Sequence, residues 1–83
     1  MSDFHVEIKN LIACIAKALV DAPEEVVVTE IIGTQSSVIE LKVSKEDVGK
    51  IIGKQGRTVV AIRTILSAAS MKLKRRCVLD LLE

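Results

Sequence analysis

The sequence predicts an α+β domain whose elements follow the order α-β-β-α-α-β, with three helices packed on one face of a three-stranded mixed sheet. Apolar residues recur at helical spacing over residues 4–19 and again between residues 45 and 71. β-branched or alternating stretches that are typical of strands occupy residues 25–32, 37–43 and 77–82. Because the last strand follows a helical crossover, it can lie parallel to the second strand by a right-handed connection.

The first helix is predicted from an apolar stripe. Its apolar side chains recur at three- and four-residue steps, which places them on one face of a helix. Ser2 or Asp3 can cap its N-terminus. The helix should end near Val20, because Pro23 disfavours helical geometry in the residue before it.

The next two strands are predicted to form an antiparallel hairpin. In the first strand both alternating faces are largely apolar, so the sequence leaves open which face is buried. The second strand alternates cleanly between apolar and charged residues. Its core face should consist of Ile39, Leu41 and Val43.

Two glycines interrupt what would otherwise be one helix. Glycine costs a helix interior roughly 1 kcal/mol relative to alanine, so Gly53 and Gly56 together predict two helices. Ser44 followed three residues later by Asp47 is typical of a capping box, which would start the shorter helix. The longer helix is predicted to run to about Met71.

The longer helix contains more apolar residues than one packed face needs. Four of them, at helical spacing, are predicted to face the core: Val59, Ile62, Leu66 and Ala69. Others lie on different faces, and spare apolar surface on a small domain often marks an interface. We therefore expect a dimer interface that includes Val60, Ala61, Ile65 and Ala68.

Composition predicts a single domain over residues 1–83, with charge distributed unevenly along the chain. Apolar residues make up 49% of the chain, which argues against disorder, and no apolar run reaches the ~18 residues of a transmembrane helix. Residues 1–40 carry two basic and seven acidic side chains, net −5, whereas residues 41–83 carry ten and four, net +6. This asymmetry suggests that one face meets a polyanion; the alternative is a solvated surface without a partner.

The residue types that carry catalysis are scarce. The chain has one histidine, and Cys14 and Cys77 each lie within an apolar pattern, so we expect two buried free thiols rather than a disulfide or metal pair. No general acid–base pair or nucleophile–base pair can be assembled. We therefore expect no enzyme activity, no metal and no cofactor. The N-terminus lacks an export signal, which favours the cytoplasm.

The loop from Gly53 to Gly56, followed by Arg57, is the candidate binding site. Glycine has no Cβ, so another backbone can approach closely, while Lys54 and Gln55 project outward. This predicts loop backbone against a phosphodiester chain, with Lys54 and Arg57 supplying positive charge. The spacing is weak by itself, because a chain of this length contains on the order of 0.4 such glycine pairs by chance. A plain turn between helices is the alternative.

The segment Ile51-Ile52-Gly53-Lys54-Gln55-Gly56-Arg57-Thr58-Val59, set between two helices in this order of elements, resembles a KH domain of the type II arrangement. The wider segment 47–64 is similar to the small bacterial single-KH RNA-binding proteins of the KhpA family. The resemblance covers the whole chain, and neither residue between the two glycines is acidic. It implies a groove that holds about four nucleotides of single-stranded RNA, with the loop clamping the RNA backbone.

The resemblance also implies roles for individual residues. Close approach of the RNA backbone is assigned to Gly53 and Gly56, and phosphate contacts to Lys54, Gln55 and Arg57. The walls of the groove would be Val48, Ile51 and Ile52, with Ile39 or Leu41 as its floor. Charge from the loop before the last strand would come from Lys72, Lys74, Arg75 and Arg76.

The KhpA family is described as forming homodimers and as pairing with a larger KH-containing partner, KhpB, in an RNA chaperone that influences cell-wall growth and cell length. The resemblance implies the same partners here, and the lack of a long apolar run predicts no membrane partner. With one Phe and no Trp or Tyr, aromatic stacking cannot be the main binding mechanism, which leaves an aliphatic groove and a backbone clamp. The alternative function is a protein-interaction adaptor that dimerises through residues 57–71, with RNA contact incidental.

Overall fold

The computed structural model describes the backbone of residues 4–82 and the side chains of residues 7–72 and 74–82. The predicted cap at Ser2 or Asp3 lies outside these residues. The predicted order of elements is confirmed. The helices are α1 (Phe4–Leu19), α2 (Val48–Ile52) and α3 (Arg57–Leu73), and the strands are β1 (Val27–Ile32), β2 (Ser36–Lys42) and β3 (Arg76–Leu82).

The sheet has the predicted mixed topology. Its strand order is β1-β2-β3, so β2 is central and β3 is an edge strand. β1 runs antiparallel to β2 and brings Val28 opposite Leu41, whereas β2 runs parallel to β3 and brings Ile39 opposite Leu79. The parallel pair follows from the crossover through α2 and α3.

One apolar core joins the helices to one face of the sheet. The core residues of β2 are the predicted Ile39 and Leu41, followed by Val43, and Leu79 of β3 lies beside them. The helices contribute residues at helical spacing: Ile8, Ile12 and Ala16 from α1, Ile51 from α2, and Val59, Ile62 and Leu66 from α3. The predicted core faces of β2 and α3 are therefore confirmed.

The face of β1 that the sequence left open is set by its register with β2. Val28 packs against the core, whereas Val27 and Ile31 are exposed. Because Val28 lies opposite Leu41, which points into the core, the two side chains share one face. A single turn of 3-10 helix, Pro23–Glu25, precedes the strand, which therefore begins later than predicted.

Two predictions about single residues are wrong. Ser44 makes no capping bond through its side chain, because a 3-10 turn (Lys45–Asp47) precedes α2 and the carboxylate of Asp47 turns towards Ala22 instead. Cys14 is exposed, because a helix places it on the side opposite Ile12 and Ala16, whereas Cys77 is buried as predicted. Both thiols are free. Within residues 4–82, no helix combines the length and apolar character needed to cross a membrane.

Candidate nucleic-acid interface

The break between α2 and α3 is built on Gly53, which ends α2. Its backbone has φ 78° and ψ 172°, a region that essentially only glycine adopts. A Cβ at this position would lie 2.1 Å from Oγ1 and 2.6 Å from Cβ of Thr58. Gly53 is therefore required for the chain to close onto the first turn of α3.

Gly56 has a different role from Gly53. It also has a positive φ, 74°, but a Cβ added to it would meet no heavy atom within 4 Å. The N–H of Gly56 donates to the carbonyl of Gly53 at 3.1 Å, which closes the turn. At Gly53 the lack of a side chain avoids a clash with Thr58, whereas at Gly56 it leaves open space outside the loop.

The two side chains between the glycines point into solvent. Gln55 has φ 58° and ψ 25°, so it occupies the left-handed region without being a glycine. Lys54, Gln55 and Arg57 are all exposed. The loop therefore presents one amide and two cationic side chains around the open surface at Gly56.

The apolar residues beside the loop divide into two groups. Ile52 is exposed and Val48 is half-buried, so both can contact a ligand at the surface. Ile51 is completely buried in the core, as are Ile39 and Leu41 of β2. The expectation that Ile51 walls a groove, with Ile39 or Leu41 as its floor, does not fit this burial, because helices cover that face of the sheet. These three side chains belong to the core on which the site is built.

A groove of about 610 Å³ runs between α3 and the edge strand β3. Its helical side carries Arg63, Ser67 and Met71, and its other side includes residues 74–79. The hydroxyl of Ser70 joins the two sides: it accepts from the N–H of Cys77 and donates to the carbonyl of Leu66, both at 2.9 Å. This groove is cationic at its rim and apolar inside.

The candidate RNA-binding residues fall into two groups at opposite ends of α3. The loop 53–57 lies at the N-terminus of α3, and Lys72, Lys74 and Arg75 lie at its C-terminus. A helix of 17 residues separates the two groups by about 25 Å. None of the loop residues lines the groove.

Arg63 is a groove residue that the sequence reasoning missed. It lies on α3 between the two cationic ends and lines the groove. The signal was present in the sequence, because Arg63, Ser67, Ser70 and Lys74 are spaced four, three and four residues apart. That spacing places Arg63, Ser67 and Ser70 on one face of α3, and Lys74 follows directly after the helix ends at Leu73.

Arg75 is held by the hairpin turn. Its Nη2 donates to the carbonyl oxygens of Gly33 and Ser36, at 2.5 Å and 3.0 Å. The backbone N–H of Arg76 donates to the carbonyl of Gln35 at 3.4 Å. Arg75 therefore ties the segment before β3 to the β1–β2 turn, a structural role that the resemblance did not imply.

A buried carboxylate, that of Asp47, fixes the start of α2, six residues before Gly53. Oδ2 of Asp47 accepts the N–H of Ala22 at 3.1 Å, and Oδ1 accepts Nζ of Lys50 at 3.3 Å. Burial raises the pKa of Asp47, but the bonds from the backbone of Ala22 and Asp21 and from Lys50 outweigh it and hold this pKa below its ordinary value of 3.8. Hydrogen bonding to Asp21, at 3.2 Å, and to Asp47 raises the pKa of Lys50.

The four residues expected at a dimer interface all lie on the exposed side of α3. Val60 and Ile65 are 57% and 43% exposed, and Ala61 and Ala68 are exposed beside them. This apolar surface is separate from the core face of the helix. Within the described residues, no group of three or more His, Cys, Asp or Glu side chains could hold a metal ion.

Comparison with known proteins agrees with this geometry. Residues 9–81 match the family described as KhpA/KhpB, KH domain. The chain is 53% identical to the RNA-binding protein KhpA of Clostridium acetobutylicum, over 89% of the chain and 99% of the relative. It is 56% identical to that of Caldanaerobacter subterraneus subsp. tengcongensis, over 88% and 97%, respectively.

A third relative matches from end to end. The RNA-binding protein KhpA of Borreliella burgdorferi is 47% identical over 100% of both chains. No solved structure matches the chain. With the type II KH order of elements and a family match over residues 9–81, the chain belongs to the KhpA/KhpB KH domain family.

Proposed function

We propose that this protein binds single-stranded RNA, with the loop 53–57 clamping the RNA backbone. The observation that carries the proposal is the open space outside Gly56, where an added Cβ would meet no heavy atom within 4 Å beyond its own chain neighbours. A sugar–phosphate chain can approach the loop backbone there, and the exposed Lys54 and Arg57 supply charge for its phosphates. The relatives named RNA-binding protein KhpA support the same ligand.

From the loop, the RNA would follow the exposed flank of α3 towards the groove beside β3. Val48 and Ile52 lie near the loop, Arg63 lies midway, and Lys74 lies at the far end. About 25 Å of helix separates the two cationic ends, so a short strand contacting both must be extended. With no aromatic stacking platform, this mechanism predicts shallow base preference and strong salt dependence.

The test of the clamp is the double variant Lys54→Asp/Gln55→Asp. It places negative charge against the phosphates, and we expect RNA affinity to fall about tenfold or more at fixed salt. Fluorescence anisotropy with a labelled single-stranded RNA measures this. The matched control is Lys9→Asp/Asn10→Asp, which makes the same charge change at two exposed residues of α1. Equal affinities for the two double variants would refute the clamp.

We also propose that the protein forms a dimer through Val60, Ala61, Ile65 and Ala68. Their exposure on α3 supports this, and pairing two weak modules raises avidity for RNA. The variant Ile65→Asp should shift the protein to monomer in light scattering, with Leu11→Asp, the same kind of change at a similarly exposed residue of α1, as the control. A wild-type sample that stays monomeric at high micromolar concentration would refute the dimer.

The same surface could instead pair this chain with a larger KH-containing protein of the KhpB type. In that arrangement the protein would act in the cytoplasm as part of an RNA chaperone that influences cell-wall growth and cell length. Co-purification of tagged protein tests the pairing, and Ile65→Asp should abolish it while Lys54→Asp/Gln55→Asp should not.

The second candidate function is a protein-interaction adaptor, which the exposed apolar surface of α3 favours. The two functions can be distinguished in cells in which Ile65→Asp or Lys54→Asp/Gln55→Asp replaces the wild-type protein. Loss of function in the loop variant supports RNA binding, whereas loss in the Ile65 variant alone supports the adaptor. Crosslinking to cellular RNA followed by sequencing would identify the ligands.

A further inference from the structure

The face of the sheet opposite the helices carries an apolar row that crosses all three strands. The helices pack on one face, so the outward side chains of the described strands are open to solvent. Ile31, Val38 and Val78 lie side by side in register on this open face. Ile31 and Val78 are 53% and 39% exposed. Exposed apolar side chains grouped in this way are typical of an interaction surface.

Charged residues lie on both sides of the apolar row along β3. Asp80 lies two residues after Val78, and Arg76 lies two residues before it, so all three point to the same face. Glu40 is in register with Asp80 on the neighbouring strand. Two adjacent carboxylates repel each other, and a cation placed over them would remove this repulsion.

The positions of these residues make the open face complementary to itself. A two-fold axis that runs along the apolar row places Ile31, Val38 and Val78 on the same residues of a second copy. The same rotation reverses the direction of β3, so Asp80 of each copy comes opposite Arg76 of the other. The alternative axis, along the strands, would place carboxylate against carboxylate.

We propose that this open face pairs with the same face of a second copy, with Asp80 of each copy opposite Arg76 of the other. The surface is distinct from the exposed apolar side of α3, and it meets the groove beside β3 at Arg76 and Val78. Three strands about 4.8 Å apart and three rows about 6.8 Å apart cover roughly 300 Å² per copy. This is below the ~800 Å² per partner of a stable interface, so the contact is weak.

A protein with both surfaces would assemble beyond a dimer at high local concentration. The α3 surface joins two copies, and the open sheet faces at the outer sides of that pair can each meet another pair. Isologous contacts on two separate surfaces close into a tetramer when their two-fold axes meet at right angles, and otherwise they extend into larger assemblies. The sheet contact therefore supplies cooperativity when many copies are crowded along one polymer.

The experiment is sedimentation equilibrium in the Ile65→Asp background, which isolates the sheet contact from the α3 contact. Concentrations from about 10 μM to 1 mM cover a weak association. Arg76→Asp and Asp80→Arg should each weaken association about fivefold or more, because each places like charges opposite each other. The charge-swap double variant should restore association to within about twofold, because it re-forms both pairs.

A charge-reversal control on another part of the surface and NMR shifts test whether association occurs through the open sheet face. Glu24→Arg reverses the charge of an exposed residue in the turn before β1 and should leave association unchanged. Circular dichroism checks that each variant is folded, and concentration-dependent NMR shifts should concentrate on Ile31, Val38 and Val78. A strictly monomeric Ile65→Asp protein at 1 mM, or a double variant as weak as the single ones, would overturn the proposal.

Discussion

Replacement by alanine is predicted to cost more stability at Gly53 and more RNA affinity at Gly56. The perturbation is the same methyl group at Gly53 or at Gly56. At Gly53 the backbone angles belong essentially to glycine, which costs a side chain of order 1–3 kcal/mol. In addition, the new Cβ would lie 2.6 Å from Cβ and 2.9 Å from the backbone N of Thr58. Rotating the Thr58 side chain cannot relieve these two contacts.

The expected losses of unfolding free energy differ clearly between Gly53→Ala and Gly56→Ala. Forcing the backbone apart at Gly53 adds a cost like that of overpacking, about 1–3 kcal/mol, so Gly53→Ala should lose about 4 kcal/mol of unfolding free energy. Gly56 has open space outside it, so Gly56→Ala should lose only the left-handed backbone cost of about 1 kcal/mol. In a domain of this size each kcal/mol corresponds to about 4–8 °C in Tm.

Two assays on the same variants complete the prediction. Urea unfolding followed by circular dichroism should rank the variants with Gly53→Ala far less stable than Gly56→Ala. RNA anisotropy, corrected for the folded fraction, should show the larger intrinsic loss for Gly56→Ala, because its methyl group occupies the space proposed for the RNA backbone. Gly53→Ala is therefore expected to be the worse variant in stability, and Gly56→Ala the worse variant in RNA affinity.

A control and a partial rescue sharpen the comparison. Gly49→Ala adds a methyl group within α2 where no heavy atom lies within 4 Å, so it should stabilise the protein by up to about 1 kcal/mol. Combining Gly53→Ala with Thr58→Ala removes only the 2.1 Å contact with Oγ1, so the rescue should be incomplete. If Gly53→Ala proved no less stable than Gly56→Ala, the assignment of distinct roles would be wrong.

Three further predictions concern the buried and tethering side chains. The lowered pKa of Asp47 means that its stabilisation is present above pH 3.8 and is lost as the pH falls through the folded-state pKa. In urea unfolding at pH 7 and pH 3, the stability gap between wild type and Asp47→Asn should therefore shrink at pH 3, and a constant gap would contradict this. Arg75→Ala should lower the unfolding free energy by about 1 kcal/mol through loss of its bonds to the hairpin turn, and Arg75→Lys should restore little of it because a lysine lacks the guanidinium fork. A thiol reagent should react quickly with Cys14 and slowly with Cys77 in the native protein, so two fast thiols would show that the burial of Cys77 is wrong.

The sequence was sufficient for features that depend on neighbours in the chain. Glycine weakens a helix through its own backbone, so Gly53 and Gly56 located the break between α2 and α3 without reference to the rest of the molecule. The alternation of β2 likewise identified Ile39 and Leu41 as core residues. Both signals, the glycine pair and the strand alternation, can be read from adjacent residues, and the tertiary contacts here reinforce them.

Neither local reasoning nor the family resemblance anticipated contacts that come from distant segments. Asp47 looked like part of a capping box, but its carboxylate binds the N–H of Ala22, 25 residues earlier. The resemblance assigned Ile51 to a wall of the groove, but this side chain is completely buried in the core that joins the helices to the sheet. The resemblance gave Arg75 only a general charge beside the groove, whereas its guanidinium also binds the hairpin turn, about 40 residues away.

By itself, the sequence determined the order of the elements, the position of the loop and the cationic character of the C-terminal half, because each is written in the spacing or type of adjacent residues. Only the tertiary structure decided which face of β1 is buried, why the two glycines differ, and which cations remain at the surface. Those properties depend on contacts such as Gly53 with Thr58 and Val28 with Leu41. Their geometry is fixed only when the helices close over the sheet.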